Sequence, residues 1–110
     1  MRTQQLLDQR SLQLHRLIAD KLRREPQRFG QVLATLEHWR AAVDPRAQPY
    51  VERWQAMARQ GLDACLQAAT EDTDQGRALR QASPFAGILT HKERFAFFRQ
   101  WAEEHRHETH

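Results

Sequence analysis

Cysteine is nearly absent from this sequence of 110 residues, and long hydrophobic runs are missing. Cys65 is the only cysteine, which excludes an intrachain disulfide and a zinc site built from cysteines. No apolar run approaches the ~20 residues that cross a bilayer. Met1 is followed by Arg2 and polar residues rather than by the apolar segment of a signal peptide. We therefore expect a soluble cytoplasmic protein that does not contact a membrane.

Glycine and proline are scarce, at four residues each, and the alternating apolar and polar pattern of strands is missing. Apolar residues recur instead at the 3.6-residue period of helices, and proline or polar clusters separate the periodic segments. Thr90 and Glu93 match a capping box at the start of the last segment, and Gly87 is expected to adopt a positive φ or to allow a close approach. The predicted helices cover about residues 3–24, 26–43, 49–60, 62–69, 74–82 and 90–105.

This pattern predicts an all-α fold, a single small domain in which five or six short helices form a compact bundle. No internal repeat or long linker divides residues 1–110. Aromatic residues bury the most area per side chain, and three tryptophans are expected to be largely buried. We expect the aromatic residues at helical spacing to form most of the core: Phe29, Trp39, Tyr50, Trp54, Phe85, Phe95, Phe98 and Trp101.

The least ordinary local sequence is the segment 79–89, where a short helix ends at Ser83-Pro84 and an apolar stretch follows. One interpretation is structural, with Phe85 filling the bundle and Arg77 and Arg80 pointing to solvent. The other is a partner-binding surface, in which Phe85 is the anchor and Arg80 binds a carboxylate or phosphate through its forked guanidinium. On the second interpretation the candidate partner-binding residues are Arg77, Arg80, Ser83 and Phe85.

A family resemblance rests on residues spread along most of the chain. The opening segment 10–16, Trp39, Trp54, the block 79–89 and the following Glu93-Arg94 resemble a small bacterial helical domain of toxin-antitoxin-type regulators. The heavy use of arginine over lysine also suggests a GC-rich bacterial genome. The resemblance implies an antitoxin-like or regulatory protein that binds a protein partner, such as a toxin encoded nearby, without the helix-turn-helix module that reads DNA. A homo-oligomer is left open.

Two Arg/His pairs give a second hypothesis. Arg10 with His15, and Arg99 with His105, resemble the signature of HEPN ribonucleases, in which histidine and arginine act on a ribose hydroxyl and a phosphate. Such pairs arise easily by chance among 15 arginines and six histidines. These spacings also separate the paired side chains by roughly 120° to 140° around a helix. A HEPN-like ribonuclease is therefore an alternative, and surface pairing is the competing explanation.

The charge pattern gives a third hypothesis. The formal net charge is +3, with basic ends and an acidic middle. Basic residues of the first helices could bind nucleic acid, although Asp8, Asp20 and Glu25 interrupt them. The candidate nucleic-acid-binding residues are Arg16, Lys21, Arg23 and Arg24.

No cofactor, metal or catalytic residue is predicted. Gly-rich phosphate loops, a Ser/His/Asp order and an HExxH motif are missing from the sequence. The C-terminal His105, His107 and His110 are not aligned on one helical face, so we expect a frayed tail rather than a metal site. The favoured function is thus a small non-enzymatic interaction protein.

Overall fold

Helices make up most of the chain in the computed structural model, which describes residues 2–42 and 44–106. The six α-helices are α1 (Arg2–Arg24), α2 (Phe29–Ala42), α3 (Gln48–Gln60), α4 (Leu62–Ala69), α5 (Asp74–Gln81) and α6 (His91–Glu104). A 3₁₀ turn, Pro26–Arg28, precedes α2, and the described residues contain no strand. The prediction of an all-α single domain is confirmed, although α1, at 23 residues, is long. None of the described helices combines the length and the apolar character that spanning a membrane requires.

Local chemistry sets the helix ends. Pro26 lies at the first position of the 3₁₀ turn, and the preceding Glu25 leaves the helical region with φ −131° and ψ 67°. The predicted capping box at α6 is present. The Glu93 N–H donates to the Thr90 hydroxyl at 3.1 Å, and the Thr90 N–H donates to the Glu93 carboxylate at 2.7 Å. These two bonds satisfy donors that a helix N-terminus otherwise leaves open.

The core lies between α1 to α5 and the connector that follows α5. Trp54 is fully buried, and its indole N–H donates to the carbonyl of Leu79 at 3.1 Å. Its ring meets Phe85 edge to face, with 5.4 Å between centroids. Around this pair lie aliphatic side chains from every helix of the group: Ile18, Leu22, Val32, Leu36, Val51, Leu66, Leu79, Ile88 and Leu89. Burying each side chain contributes roughly 1.5–3 kcal/mol.

The prediction of an aromatic core is confirmed only in part: Trp54 and Phe85 lie in the core, Phe29, Trp39 and Tyr50 pack against it, and Phe95, Phe98 and Trp101 of α6 lie outside it. Only Trp54 and Phe85 are buried, whereas Phe95 is 68% exposed and α6 contains no buried residue. The other predicted core aromatics are only partly buried: Phe29, Trp39, Tyr50, Phe98 and Trp101. The inner face of α1 is already covered by α4 and α5. The aromatic stripe of α6 therefore lies at the edge of the molecule.

Two glycines have structural roles. Gly87 has φ 89°, as expected for the connector, and this left-handed conformation is strained for any other residue. Gly76 lies in the first turn of α5, where an added Cβ would meet the carbonyl oxygen of Glu71 at 2.1 Å. The absence of a side chain at Gly76 thus lets α5 pack directly on the preceding loop.

Candidate functional site

Arg80 is a structural link rather than a presented side chain. It is 5% exposed, and its Nη1 donates to the carbonyls of Ala69 at 3.2 Å and Glu71 at 2.7 Å. These bonds join α5 to the C-terminal end of α4 and the loop after it, and burial lowers the pKa of Arg80. The sequence-based predictions placed Arg80 at the surface, either pointing to solvent or binding a partner. The structure corrects both placements, because Arg80 is buried.

Phe85 and Ser83 also face inward. Phe85 is 2% exposed, so in this conformation it cannot anchor a partner. The half-buried Ser83 hydroxyl lies 2.8 Å from Nε2 of His15. Arg77 remains partly exposed but is paired with Asp72 and Asp74. Partner binding by the segment 79–89 stays a prediction. However, the predicted anchor Phe85 and the predicted anion-binding Arg80 both lie in the interior.

His15 is held from both ring nitrogens. Nδ1 donates to the carbonyl of Ser11 at 2.7 Å, which leaves Nε2 of the neutral ring to accept from Ser83. Burial, opposed by the Ser11 bond and aided by the nearby Arg80 charge, lowers the pKa of His15. A serine hydroxyl on a histidine also occurs in nucleophilic catalysis. Here the imidazole is 4% exposed, and it packs edge to face on Phe85, so the pair anchors the connector to α1.

Each predicted Arg/His pair is engaged with aromatic rings. The guanidinium of Arg10 lies 5.1 Å from the ring centroid of Phe98, while its intended partner His15 is in the interior. His105 is stacked on Trp101 with centroids 3.6 Å apart, and Arg99 is exposed. None of these contacts supports the ribonuclease hypothesis, which stays a prediction.

The predicted basic surface loses its central member. Lys21 is buried, and its ammonium lies 2.5 Å from the carboxylate of Glu93. Lys21 therefore cannot contact nucleic acid in this conformation, which corrects that prediction. Arg16, Arg23 and Arg24 are exposed. Arg23 donates to the carboxylate of Asp20 at 3.4 Å, and Arg24 donates to the backbone carbonyl of Asp20 at 3.3 Å.

A groove between α1 and α6 has a volume of about 870 Å³. On both α1 and α6, the residues that line the groove recur every three to four positions, so they lie on one face of each helix. We call it the α1–α6 groove. Its lining comprises Gln9, Leu12, Gln13, Arg16, Leu17, Asp20, Asp72, Glu93, Ala96, Phe97, Gln100, Trp101, Glu104 and His105.

The groove exists because α6 is held to α1 at separate points. At one point Lys21 binds Glu93, and at the other Arg10 lies over the ring of Phe98. These two positions of α1 are about 16 Å apart along the helix axis. Arg10 precedes Lys21 in α1, whereas the partner of Arg10, Phe98, follows Glu93 in α6, so the helices run in opposite senses. Their facing sides remain open along the groove.

One wall of the groove is an aromatic ladder, defined as Phe97, Trp101 and His105. These residues are four apart, so they lie on one face of α6. Phe97 and Trp101 stack with centroids 6.4 Å apart, and Trp101 stacks on His105. All three are half-buried. The opposite wall supplies Leu12 and Leu17, which gives the groove an apolar floor.

The charges that line the groove are mainly negative. Four carboxylates (Asp20, Asp72, Glu93 and Glu104) lie there with a single arginine, Arg16, although the whole chain carries +3. The Lys21 ammonium and the Thr90 N–H lower the pKa of Glu93 to about 2, so this carboxylate stays ionised at neutral pH. The groove is therefore apolar at its floor, and carboxylates outnumber basic side chains at its rim, although Asp20, Asp72 and Glu93 are each paired with a cation beside the groove.

The sequence contained a signal for this site that the helix prediction did not use. Aromatic residues at a spacing of four define the face of α6, but only the tertiary structure shows that this face lies open. The described residues contain no group of three or more His, Cys, Asp or Glu that could hold a metal. His107 and His110, considered above as metal ligands, lie outside the described residues.

Comparison of this chain with protein-family models, with curated proteins and with solved structures finds no match. The resemblance to regulators of the toxin-antitoxin type therefore stays a prediction that rests on its quoted residues.

Proposed function

We propose that this protein is a small non-enzymatic interaction protein that binds a protein partner in the α1–α6 groove. The observation that carries the proposal is the aromatic ladder, which stays only partly buried on a helix with no buried residue. Clustered apolar surface framed by polar residues is typical of interaction sites in soluble proteins. Trp101 and Arg16 both line the groove, and tryptophan and arginine are enriched among residues that dominate binding energy.

The energetics favour occupation of the groove. Helices in proteins gain most of their stability from packing one face, and α6 has only part of this packing. A partner that covers Trp101 and Phe97 would remove further apolar surface from water, at about 25 cal/mol per Å². The walls are regular helices, so little backbone ordering is needed when a partner binds.

An antitoxin-type role is the narrower form of this proposal. In that role the partner would be a toxin, and the groove would cover part of the toxin surface. A toxin-like enzyme encoded beside this gene would favour the narrower form. The broader proposal, that the groove binds a protein partner, does not depend on the antitoxin-type role.

The test is affinity capture from cells that express the gene naturally, with the wild-type protein and two variants. Trp101→Ala removes the centre of the aromatic ladder, whereas Phe95→Ala removes an aromatic ring from the exposed side of α6. We expect the wild-type protein and Phe95→Ala to retain one and the same partner, and Trp101→Ala to lose it at least tenfold, as measured by quantitative mass spectrometry. Circular dichroism checks that both variants remain folded. Equal recovery with all three proteins contradicts the proposal.

A further inference from the structure

We infer that the occupant of the α1–α6 groove is a basic amphipathic α-helix of the partner protein. This inference rests on the proposed function and specifies the class of partner. Three observations support it: the helical walls of the groove, its apolar floor, and the excess of carboxylates at its rim.

The walls exclude an occupant that is held by strand pairing. Backbone N–H and C=O groups within α1 and α6 are bonded inside their own helices, so neither wall offers a sheet edge to an added strand. An extended peptide in the groove would leave its own backbone groups without partners on an apolar floor. A helix satisfies its backbone internally and needs only side-chain contacts with Phe97, Trp101 and Leu17.

The dimensions of the groove fit this geometry. The lining residues extend from Gln9 to Asp20 on α1 and from Glu93 to Glu104 on α6, about 16 Å along each helix, which is roughly three helical turns. The residues of α1 and α6 that line the groove recur every three to four positions. Ridges of a third helix can therefore pack into the spaces between them. We expect the occupant to present apolar residues at i, i+3 or i+4, and i+7.

The carboxylates of the groove determine which charge the occupant should carry beside its apolar stripe. Asp20 and Asp72 are paired with Arg23 at 3.4 Å and Arg77 at 3.3 Å, and all four side chains are at least one-third exposed. Exposed pairs of this kind are weak, so both carboxylates remain able to bind a second cation. Glu104 accepts a bond only from the neutral Gln100, at 3.4 Å, in the described part of the chain. Lys and Arg on both sides of the apolar stripe of the occupant would face these carboxylates.

The inference is tested with two synthetic peptides of 16 residues in a common helical design. Both carry leucines at helical spacing; one has Lys and Arg on the flanks of this stripe, and the other has Glu at the same positions. Binding is followed by the fluorescence of Trp101 in a Trp39→Phe background, because the remaining Trp54 is fully buried. We expect the basic peptide to bind at least tenfold more tightly than the acidic peptide, with an affinity that falls as salt increases.

Matched charge reversals locate the contact. Glu104→Lys changes a carboxylate that lines the groove, while Glu103→Lys changes its neighbour, which lies outside the lining and pairs with Arg106. We expect Glu104→Lys to weaken binding of the basic peptide at least fivefold and Glu103→Lys to leave it unchanged. Circular dichroism of each variant confirms that the fold is retained.

Three outcomes overturn the inference. The basic peptide does not bind, or it binds no better than the acidic one, or both charge reversals have the same effect. A second copy of this chain would be the occupant instead if sedimentation shows a dimer that Glu104→Lys dissociates and Glu103→Lys does not. These results are distinct from failure of the proposed function, which is indicated only when capture of a natural partner is independent of Trp101.

Discussion

The body of the molecule, α1 to α5 with the connector 82–90, differs from α6 in how its aromatic residues are used. In the body, Trp54 and Phe85 are enclosed on all sides, and the indole N–H of Trp54 has a backbone partner. In α6, four large aromatic side chains occupy 14 residues and none is buried. The comparison shows that aromatic content alone does not place a helix in the core, because a neighbouring face must be free to cover it.

The two regions also differ in how their charged groups are held. Arg80 and His15 are enclosed within the body by bonds to backbone carbonyls. The charged residues of α6 lie at its surface, with the exception of the half-buried Glu93 on Lys21. The body is thus fixed by directional buried contacts, and α6 presents its side chains from a few points of attachment.

The largest expected effect compares two tryptophans in the two regions. Trp54→Ala should lower the free energy of unfolding by about 3–5 kcal/mol, since it leaves a cavity and removes one of the two hydrogen bonds that the Leu79 carbonyl accepts. Trp101→Ala should cost about 1 kcal/mol, because it loses stacking with Phe97 and His105 but leaves no cavity. Urea denaturation followed by far-UV circular dichroism measures both values without relying on tryptophan emission.

Equal losses for Trp54→Ala and Trp101→Ala would show that α6 belongs to the same cooperative core as the body. The distinction between the two regions would then be wrong. Trp39→Ala provides an intermediate reference, since Trp39 is half-buried on α2.

A second comparison separates two arginines on α5. Arg80→Ala should lower the free energy of unfolding by about 2–4 kcal/mol, since the carbonyls of Ala69 and Glu71 lose a charged donor. Arg77→Ala removes only partly exposed ion pairs and should cost less than about 1 kcal/mol. Thermal unfolding of the two variants measures the difference. If Arg80→Ala is as stable as the wild-type protein, Arg80 does not link α5 to α4 and the following loop.

The smallest expected effect is the pH dependence of the body. Burial lowers the pKa of His15 below its ordinary value of 6.5, so the folded state binds a proton less readily than the unfolded chain. The stabilisation is complete above pH 6.5 and is lost as the pH falls from there through the folded-state pKa. Denaturation at pH values down to about pH 5 should show this loss, at no more than about 1.4 kcal/mol per pH unit.

The control for this prediction is His91, an exposed residue in the first turn of α6. His91→Gln should leave the pH profile unchanged, whereas His15→Gln should flatten it. Glu93 contributes little above pH 5, because its stabilisation is lost as the pH falls from the ordinary value of 4.5 through its folded-state pKa of about 2. A profile that is steep in both variants would assign the effect to other groups.

The sequence determined the local structure of this protein. Helical periodicity located all six helices, and their observed limits are within a few residues of those predicted. The capping box of Thr90 and Glu93 and the positive φ of Gly87 were also predicted correctly. Each of these features depends on residues that are neighbours in the chain, so their chemistry can be read without knowing the fold.

The tertiary structure alone decided which side chains became interior and where the candidate site lies. His15 meets Ser83 across 68 residues of sequence, and Lys21 meets Glu93 across 72. The residue types involved are usually exposed, so composition placed Lys21 and Arg80 at the surface. The α1–α6 groove likewise required knowing that α4 and α5 already cover the inner face of α1. Periodicity specifies which residues share a face of a helix, but the packing of distant helices decides which face is covered.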